Sequence, residues 1–305
     1  MGRRAWAWTL VAALACGASA YGVWHRYRHS GLPPDYAAPD APVAAAAARA
    51  ATLRLALVLG SGGNRGHAHV GVLKVLEEAG LAPDLVVGAS AGAAIGALRA
   101  AGLAAAEIER RALALDARSL ADFTLSRHGY LSGAGLARYV NDAVGGRPLE
   151  SLGLAFAAVA TRLPTGEAVA FTRGNTGIAV QASAAIPGVF VPIRIRGAVY
   201  ADGDLSSPVP VQAARRLGAA RVIAVDVSAD LADTPSLADI PLEWIERDVM
   251  RRALIDFEVL SADLVLRPKL PYFAGSSRAY KEMAIRAGEQ AARAALPRLR
   301  ELFAN

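Results

Sequence analysis

Apolar residues along the chain alternate between two spacings, and the alternation outlines a fold. Residues 53–59, Leu-Arg-Leu-Ala-Leu-Val-Leu, are a nearly continuous apolar run ended by Gly60-Ser-Gly-Gly-Asn-Arg-Gly66. A short apolar run bounded by turn residues predicts a strand buried on both faces. Val70, Val72, Leu73, Val75 and Leu76 then follow a helical pattern, with Gly80 as its stop. Leu85-Val86-Val87 begins a second strand, so the stretch is a βαβ unit with parallel strands.

Helical patterns continue over 91–115 and 133–144. Between them, 118–131 is less regular, contains His128 and is a candidate flap or rim. Residues 156–160 and 168–172 flank the turn Pro164-Thr-Gly166 and predict a pair of strands. Residues 182–192, Ala-Ser-Ala-Ala-Ile-Pro-Gly-Val-Phe-Val-Pro, are small and proline-bounded, as a rigid pocket-lining element would be. Residues 199–205, Val-Tyr-Ala-Asp-Gly-Asp-Leu, place Asp202-Gly203 at the tip of a short strand. A buried strand over 221–227, a long helix over 241–262, a last strand over 263–266 and a helix over 279–303, broken near Pro297, complete the pattern.

The length of 305 residues suits one domain of roughly 200–250 residues with a leader. Hydrophobic residues make up 54%, much of it alanine, which fits a helix-rich globular body. Lys and Arg number 33 against 27 Asp and Glu, a net +6 that favours anionic surfaces. No basic run is interleaved with aromatics and no zinc-ligand spacing occurs, so neither nucleic acid nor a bound metal is expected. A single cysteine, Cys16, excludes an internal disulfide framework.

Residues 1–30 carry their own signal. Arg3 and Arg4 precede residues 5–24, where only Cys16 and Tyr21 are ionisable. This is the shape of an export signal or membrane anchor, and it places the body at the cell envelope, membrane-associated or exported. Three fates stay open: cleavage after Ala18-Ser19-Ala20, lipidation of Cys16 in Ala13-Leu14-Ala15-Cys16, or retention as a span followed by Arg26 and Arg28. Residues 31–52, with Pro33, Pro34, Pro39, Pro42 and an alanine run, are expected to tether it to a domain over 53–305.

Gly88-Ala-Ser-Ala-Gly92 directly follows the second strand and precedes a helix, the setting of a nucleophile elbow that lifts Ser90 above the sheet. The glycine loop at 60–66 admits two readings. A dinucleotide site needs an acid at the end of the second strand, where Gly88-Ala89-Ser90 stands; Asp84 lies before that strand. The other reading is an oxyanion hole, in which the N–H groups of Gly62, Gly63 and Asn64 converge on an ester oxygen as it becomes negative. Arg65 either adds to that field or ties the loop to a carbonyl, while His67 and His69 suit packing better than ligation.

A serine nucleophile needs a base. No histidine follows Asp202, and His128 is the one histidine after Ser90. A triad of Ser90, Asp116 or Asp122, and His128 would be confined to a few dozen residues, which the usual hydrolase sheet does not allow. That leaves a carboxylate as direct base, with Asp202 best placed.

Gly60-Ser-Gly-Gly-Asn-Arg-Gly66, Gly88-Ala-Ser-Ala-Gly92, residues 182–192 and Asp202-Gly203, in this order and spacing, resemble the patatin-like phospholipase family, especially its bacterial members, over residues 53–211. The resemblance implies a three-layer α/β/α domain with a mostly parallel central sheet. It also implies a calcium-independent, cofactor-free Ser–Asp dyad that hydrolyses acyl esters of phospholipids, lysophospholipids or related lipids, while the leader and the basic balance point to a membrane surface as partner. By the family's motif Ser90 is nucleophile, Asp202 base, and Gly62, Gly63, Asn64 and Arg65 the oxyanion region, among the motif glycines Gly60, Gly66, Gly88, Gly92 and Gly203. Asp204 departs from the family's Gly or Ala; it either raises the pKa of Asp202 or faces solvent. The alternative is a catalytically silent lipid-binding or scaffold protein of the same fold.

Overall fold

The computed structural model describes residues 35–44, 53–116, 120–236 and 238–304. The expected leader over 1–30, Cys16 included, lies outside the described residues. In chain order the first elements are β1 (Val43–Ala44), β2 (Leu53–Leu59), α1 (His67–Glu78), β3 (Leu85–Ala89), α2 (Ala91–Ala100) and α3 (Ala105–Ala114). The hairpin β4 (Phe123–Ser126) and β5 (Gly129–Leu131) follows, then α4 (Ala134–Ala143), β6 (Ala155–Leu163), β7 (Glu167–Arg173) and α5 (Thr176–Ser183). The rest are β8 (Ile193–Ile195), β9 (Ala198–Asp202), α6 (Val211–Arg216), β10 (Ala219–Val225), α7 (Leu242–Val259), β11 (Leu264–Leu266), α8 (Arg278–Ala294) and α9 (Leu296–Ala304).

The main sheet runs β1-β7-β6-β3-β2-β10-β11, with β6, β3, β2, β10 and β11 parallel. Strand alternation sorts its side chains into two cores. Leu55, Leu57 and Leu59 of β2 pack with α1, α2 and α8 on one face, whereas Ala56 and Val58 pack with α6 and Ile255 of α7 on the other. This is the three-layer α/β/α arrangement that the resemblance implies. From β2 the chain passes through α1 to β3, and from β10 through α7 to β11 on the opposite face, so the winding reverses between β2 and β10. Ligand crevices of open α/β sheets form outside the carboxyl ends of the strands at such a reversal.

Asp84 has a structural task. Its carboxylate accepts the Leu55 N–H at 2.9 Å while its own N–H donates to Leu55 O at 2.9 Å, closing the entry to the β2–β3 ladder. Asp263 repeats the device between β10 and β11, accepting the Val222 N–H at 2.7 Å.

The expected tether over 31–52 is partly built into the domain. Tyr36 N–H donates to Arg194 O at 2.9 Å, Asp40 O accepts the Asn175 N–H at 2.7 Å, and β1 pairs antiparallel with β7. Ala41, only 1% exposed, joins the core, because small apolar residues between the prolines fill the sheet edge. Substituting Asp84→Ala leaves the buried Leu55 N–H without its side-chain acceptor and is expected to lower stability by about 1–2 kcal/mol in urea denaturation.

Candidate active site

Two strands meet head-on to form the site. β3 pairs with residues 155–159 of β6, ending with Ala89 opposite Val159; β9 runs antiparallel along 160–163 and ends with Asp202 opposite Ala160. Both occupy the edge of β6 that β7 leaves free, so their last residues converge. Ser90 Oγ donates to Asp202 Oδ2 at 2.8 Å, joining positions 112 apart in sequence.

Ser90 sits in the turn from β3 to α2 with φ 53° and ψ −119°. A non-glycine residue held there costs on the order of 1–3 kcal/mol and needs support from its surroundings. Its N–H donates to Ser183 Oγ at 2.9 Å, and that hydroxyl donates to Val159 O at 2.6 Å. The flanking glycines let backbone pass: a Cβ on Gly92 would stand 2.0 Å from Leu59 O, and one on Gly88 2.4 Å from Gly92 O.

Asp202 is held at every polar group. Oδ1 accepts the Asp204 N–H at 2.8 Å, its carbonyl accepts Thr161 Oγ1 at 2.8 Å, and its N–H donates to Ala185 O at 2.9 Å. It is 2% exposed and Ser90 5%. Burial pushes the Asp202 carboxyl up from 3.8 to about 7. The Asp204 N–H, the Ser90 hydroxyl and the Arg251 charge pull down against this, and the Asp204 charge adds to it.

The glycine loop packs against the elbow, since a Cβ on Gly66 would stand 2.6 Å from Ala91 Cβ. Gly60 and Ser61 donate their N–H groups to Val225 O and Pro208 O at 3.0 and 2.8 Å. The rings of His67 and His69 donate to Asn64 O and Gly60 O, each at 2.7 Å, so both histidines brace the loop. The N–H groups of Gly62 and Gly63 have no acceptor among the described residues. Gly63 is exposed and adopts φ +54°, a left-handed conformation that suits glycine. Of the two readings of Arg65, the tie to a carbonyl is present: Nη1 donates to Tyr272 O at 2.8 Å.

Asp204 does not face solvent freely. It accepts Arg251 Nε at 2.8 Å and also the Ser61 hydroxyl. Arg251 donates further to Ser61 O at 3.0 Å and Ser228 Oγ at 2.7 Å. The departure from the family motif is therefore one end of a bridge from the Asp202 turn through α7 to the glycine loop.

Among the described residues no histidine alternative assembles around Ser90. Asp122 is engaged by Ser132 Oγ at 2.6 Å and the Gly135 N–H at 2.7 Å, and His128 lies on the hairpin beside Arg127. Three residues escaped the sequence reading. Ser183 lies inside the small-residue segment but looks like any helix-terminal serine, Thr161 like any strand threonine, and Arg251 like any arginine of an exposed helix.

The chain matches the family model described as patatin-like phospholipase over residues 57–215. An NTE family protein of Mycobacterium tuberculosis is 36% identical over 231 residues, covering 74% of this chain and 64% of its own length. Patatin-like phospholipase domain-containing protein 6 of Homo sapiens is 33% identical over 199 residues, covering 62% of this chain and 14% of its own. Among solved structures, VipD from Legionella pneumophila shares the fold, with a TM-score of 0.55 at 15% identity over 81% of this chain and 67% of that one. The chain thus spans 64% of the length of the mycobacterial relative.

A carboxyl raised by burial binds its proton more tightly folded than unfolded. Its contribution is full below pH 3.8 and is lost as pH rises to about 7. Asp202→Asn is expected to remove that loss, making the variant more stable than wild type at pH 8 by about 1–3 kcal/mol, read from urea denaturation at pH 5 and pH 8.

Proposed function

As the chain belongs to the patatin-like phospholipase family, we propose that it is a serine acyl hydrolase cleaving carboxylic ester bonds of phospholipids or lysophospholipids through Ser90 and Asp202. The observation that carries the reading is the 2.8 Å hydrogen bond between Ser90 Oγ and Asp202 Oδ2, in a turn conformation that presents the serine above the sheet.

In this reading Ser90 Oγ attacks the ester carbonyl carbon while its proton passes to Asp202 Oδ2. The carbonyl oxygen becomes an oxyanion beside the N–H groups of Gly62 and Gly63, with Asn64 and the positive end of α2 adding to the field. Collapse breaks the bond to the alcohol, which leaves with the proton from Asp202. Water then attacks the acyl-enzyme, gives its proton to Asp202, and Ser90 recovers it as the fatty acid departs. A free aspartate is too weak a base for this at neutral pH. Burial that lifts Asp202 to about 7 makes it suited to the task. Residues 1–30 would hold the chain at the cell envelope, with lipid in the adjoining bilayer as substrate.

Fluorophosphonate labelling tests the nucleophile. Wild type is expected to label and Ser90→Ala not at all, while Asp202→Asn should label and turn over p-nitrophenyl butyrate about a thousandfold more slowly or worse. Equal labelling of wild type and Ser90→Ala would sink the assignment.

The base must be deprotonated, so kcat/KM is expected to rise with pH through a midpoint near 7. Asp204→Asn removes a like charge and frees the Arg251 charge, so that midpoint should move to lower pH in the pH–rate profile.

A further inference from the structure

A cavity of about 300 Å³ opens at the carboxyl ends of β2, β10 and β11, where the winding of the sheet reverses. Arg65 comes from the glycine loop, Ser228 from the turn after β10, and Tyr272 and Phe273 from the segment after β11. The remaining wall is one face of α7, which contributes Trp244, Arg247, Asp248, Arg251 and Arg252. The volume is about ten water-sized portions, the size of a small phosphate ester.

The charge balance is lopsided. Four guanidiniums line the cavity against one carboxylate, Asp248, which is engaged by the Tyr272 hydroxyl at 2.7 Å. Arg251 is consumed by Asp204 and the two serines. Arg247 and Arg252 make no ion pair or hydrogen bond among the described residues, and the buried Nε of Arg65 has no acceptor. Burial, with Arg251 nearby, pushes the Arg65 guanidinium below its usual value, against the opposing pull of Tyr280, Asp248 and Asp204.

We propose that this cavity is a binding site for the phosphate group of a phosphate ester. Guanidiniums are planar donors that grip phosphate oxygens in pairs, and Arg247, Arg252 and Arg65 offer unused donors to a group carrying one or two negative charges. Trp244 and Phe273, 53% and 57% exposed, give the mouth an apolar rim for whatever the phosphate esterifies. Arg251 links the cavity wall to Ser61 and Asp204, so a phosphate held here lies against the back of the glycine loop. The cavity carries the proposal; only the assignment of the phosphate to a lipid substrate rests on the hydrolase reading.

The test uses the full chain with Ser90→Ala, so that nothing is turned over, and follows heat of binding in phosphate-free buffer. Inorganic phosphate, glycerol 3-phosphate and monomeric lysophosphatidylglycerol are the probes. Binding weakened by salt is expected, and Arg247→Gln with Arg252→Gln should lower affinity about tenfold or more. Arg247→Glu, at an exposed position, gives a second reading that does not depend on folding of the double variant. Tighter binding of the lysolipid than of glycerol 3-phosphate assigns the site to a lipid head group; equal binding assigns it to a soluble phosphate ester. No binding of any probe at millimolar concentration, or binding indifferent to both variants, overturns the proposal. Ester turnover by wild type is measured alongside: turnover without phosphate binding removes the cavity proposal alone, and phosphate binding without turnover removes the hydrolase reading alone.

Discussion

One edge of β6 governs the molecule. β3 and β9 enter it from opposite ends and stop at neighbouring positions, so the residues that follow one and end the other are forced together. Nothing local to Gly88-Ala-Ser-Ala-Gly92 or to Asp202-Gly203 determines that contact; it is a consequence of strand length and register. The same strand supplies Val159 O to Ser183 and Thr161 Oγ1 to Asp202. A shift of β6 by one residue would move all of these partners at once, since neighbouring side chains point to opposite faces.

The contact is surrounded by groups that resist its relaxation. A buried carboxylate and a left-handed serine are both unfavourable, and each persists because its neighbours are fixed. Ser183 holds the serine's amide, Ala185 and Thr161 hold the aspartate's backbone, and Arg251 fixes Asp204 immediately beyond. α7 is pinned again farther along, where Glu258 accepts the Gln212 N–H at 2.7 Å and the Ser207 hydroxyl. The helix that carries the arginine cavity is thereby locked to the segment that carries Asp202.

The elements were largely legible in the sequence because parallel strands buried on both faces have unmistakable apolar runs. Residues 53–59 and 221–227 stand out for that reason, and the break of the last helix near Pro297 was equally plain. The glycine loop and the elbow were legible because close backbone approach leaves no choice of residue. Ser183, Thr161 and Arg251 were not, since their positions depend on pairings between distant segments and their residue types are ordinary on strands and helices. Asp204 stands out in the sequence as a departure, but its partner, 47 residues away on α7, has no local signature. Prolines and alanines over 31–52 suggested a tether because composition records flexibility and not the presence of an open sheet edge to receive it.

That edge has a practical bearing. β1 is two residues long and β11, at the far side of the sheet, three, so both borders are short. Val43 and Ala44 pair with Arg173 and Phe171 at the end of β7, a strand whose Val169 and Phe171 belong to the core, and Tyr36 bridges to Ile195 of β8. A truncation placed just before Leu53 would keep Ser90, Asp202 and the glycine loop intact, yet open the Phe171–Arg173 end of β7 and the partners of Tyr36 on β8 to strands of other molecules. Such a domain would tend to self-associate through that border, and loss of activity on shortening the chain would then report aggregation rather than a missing catalytic group.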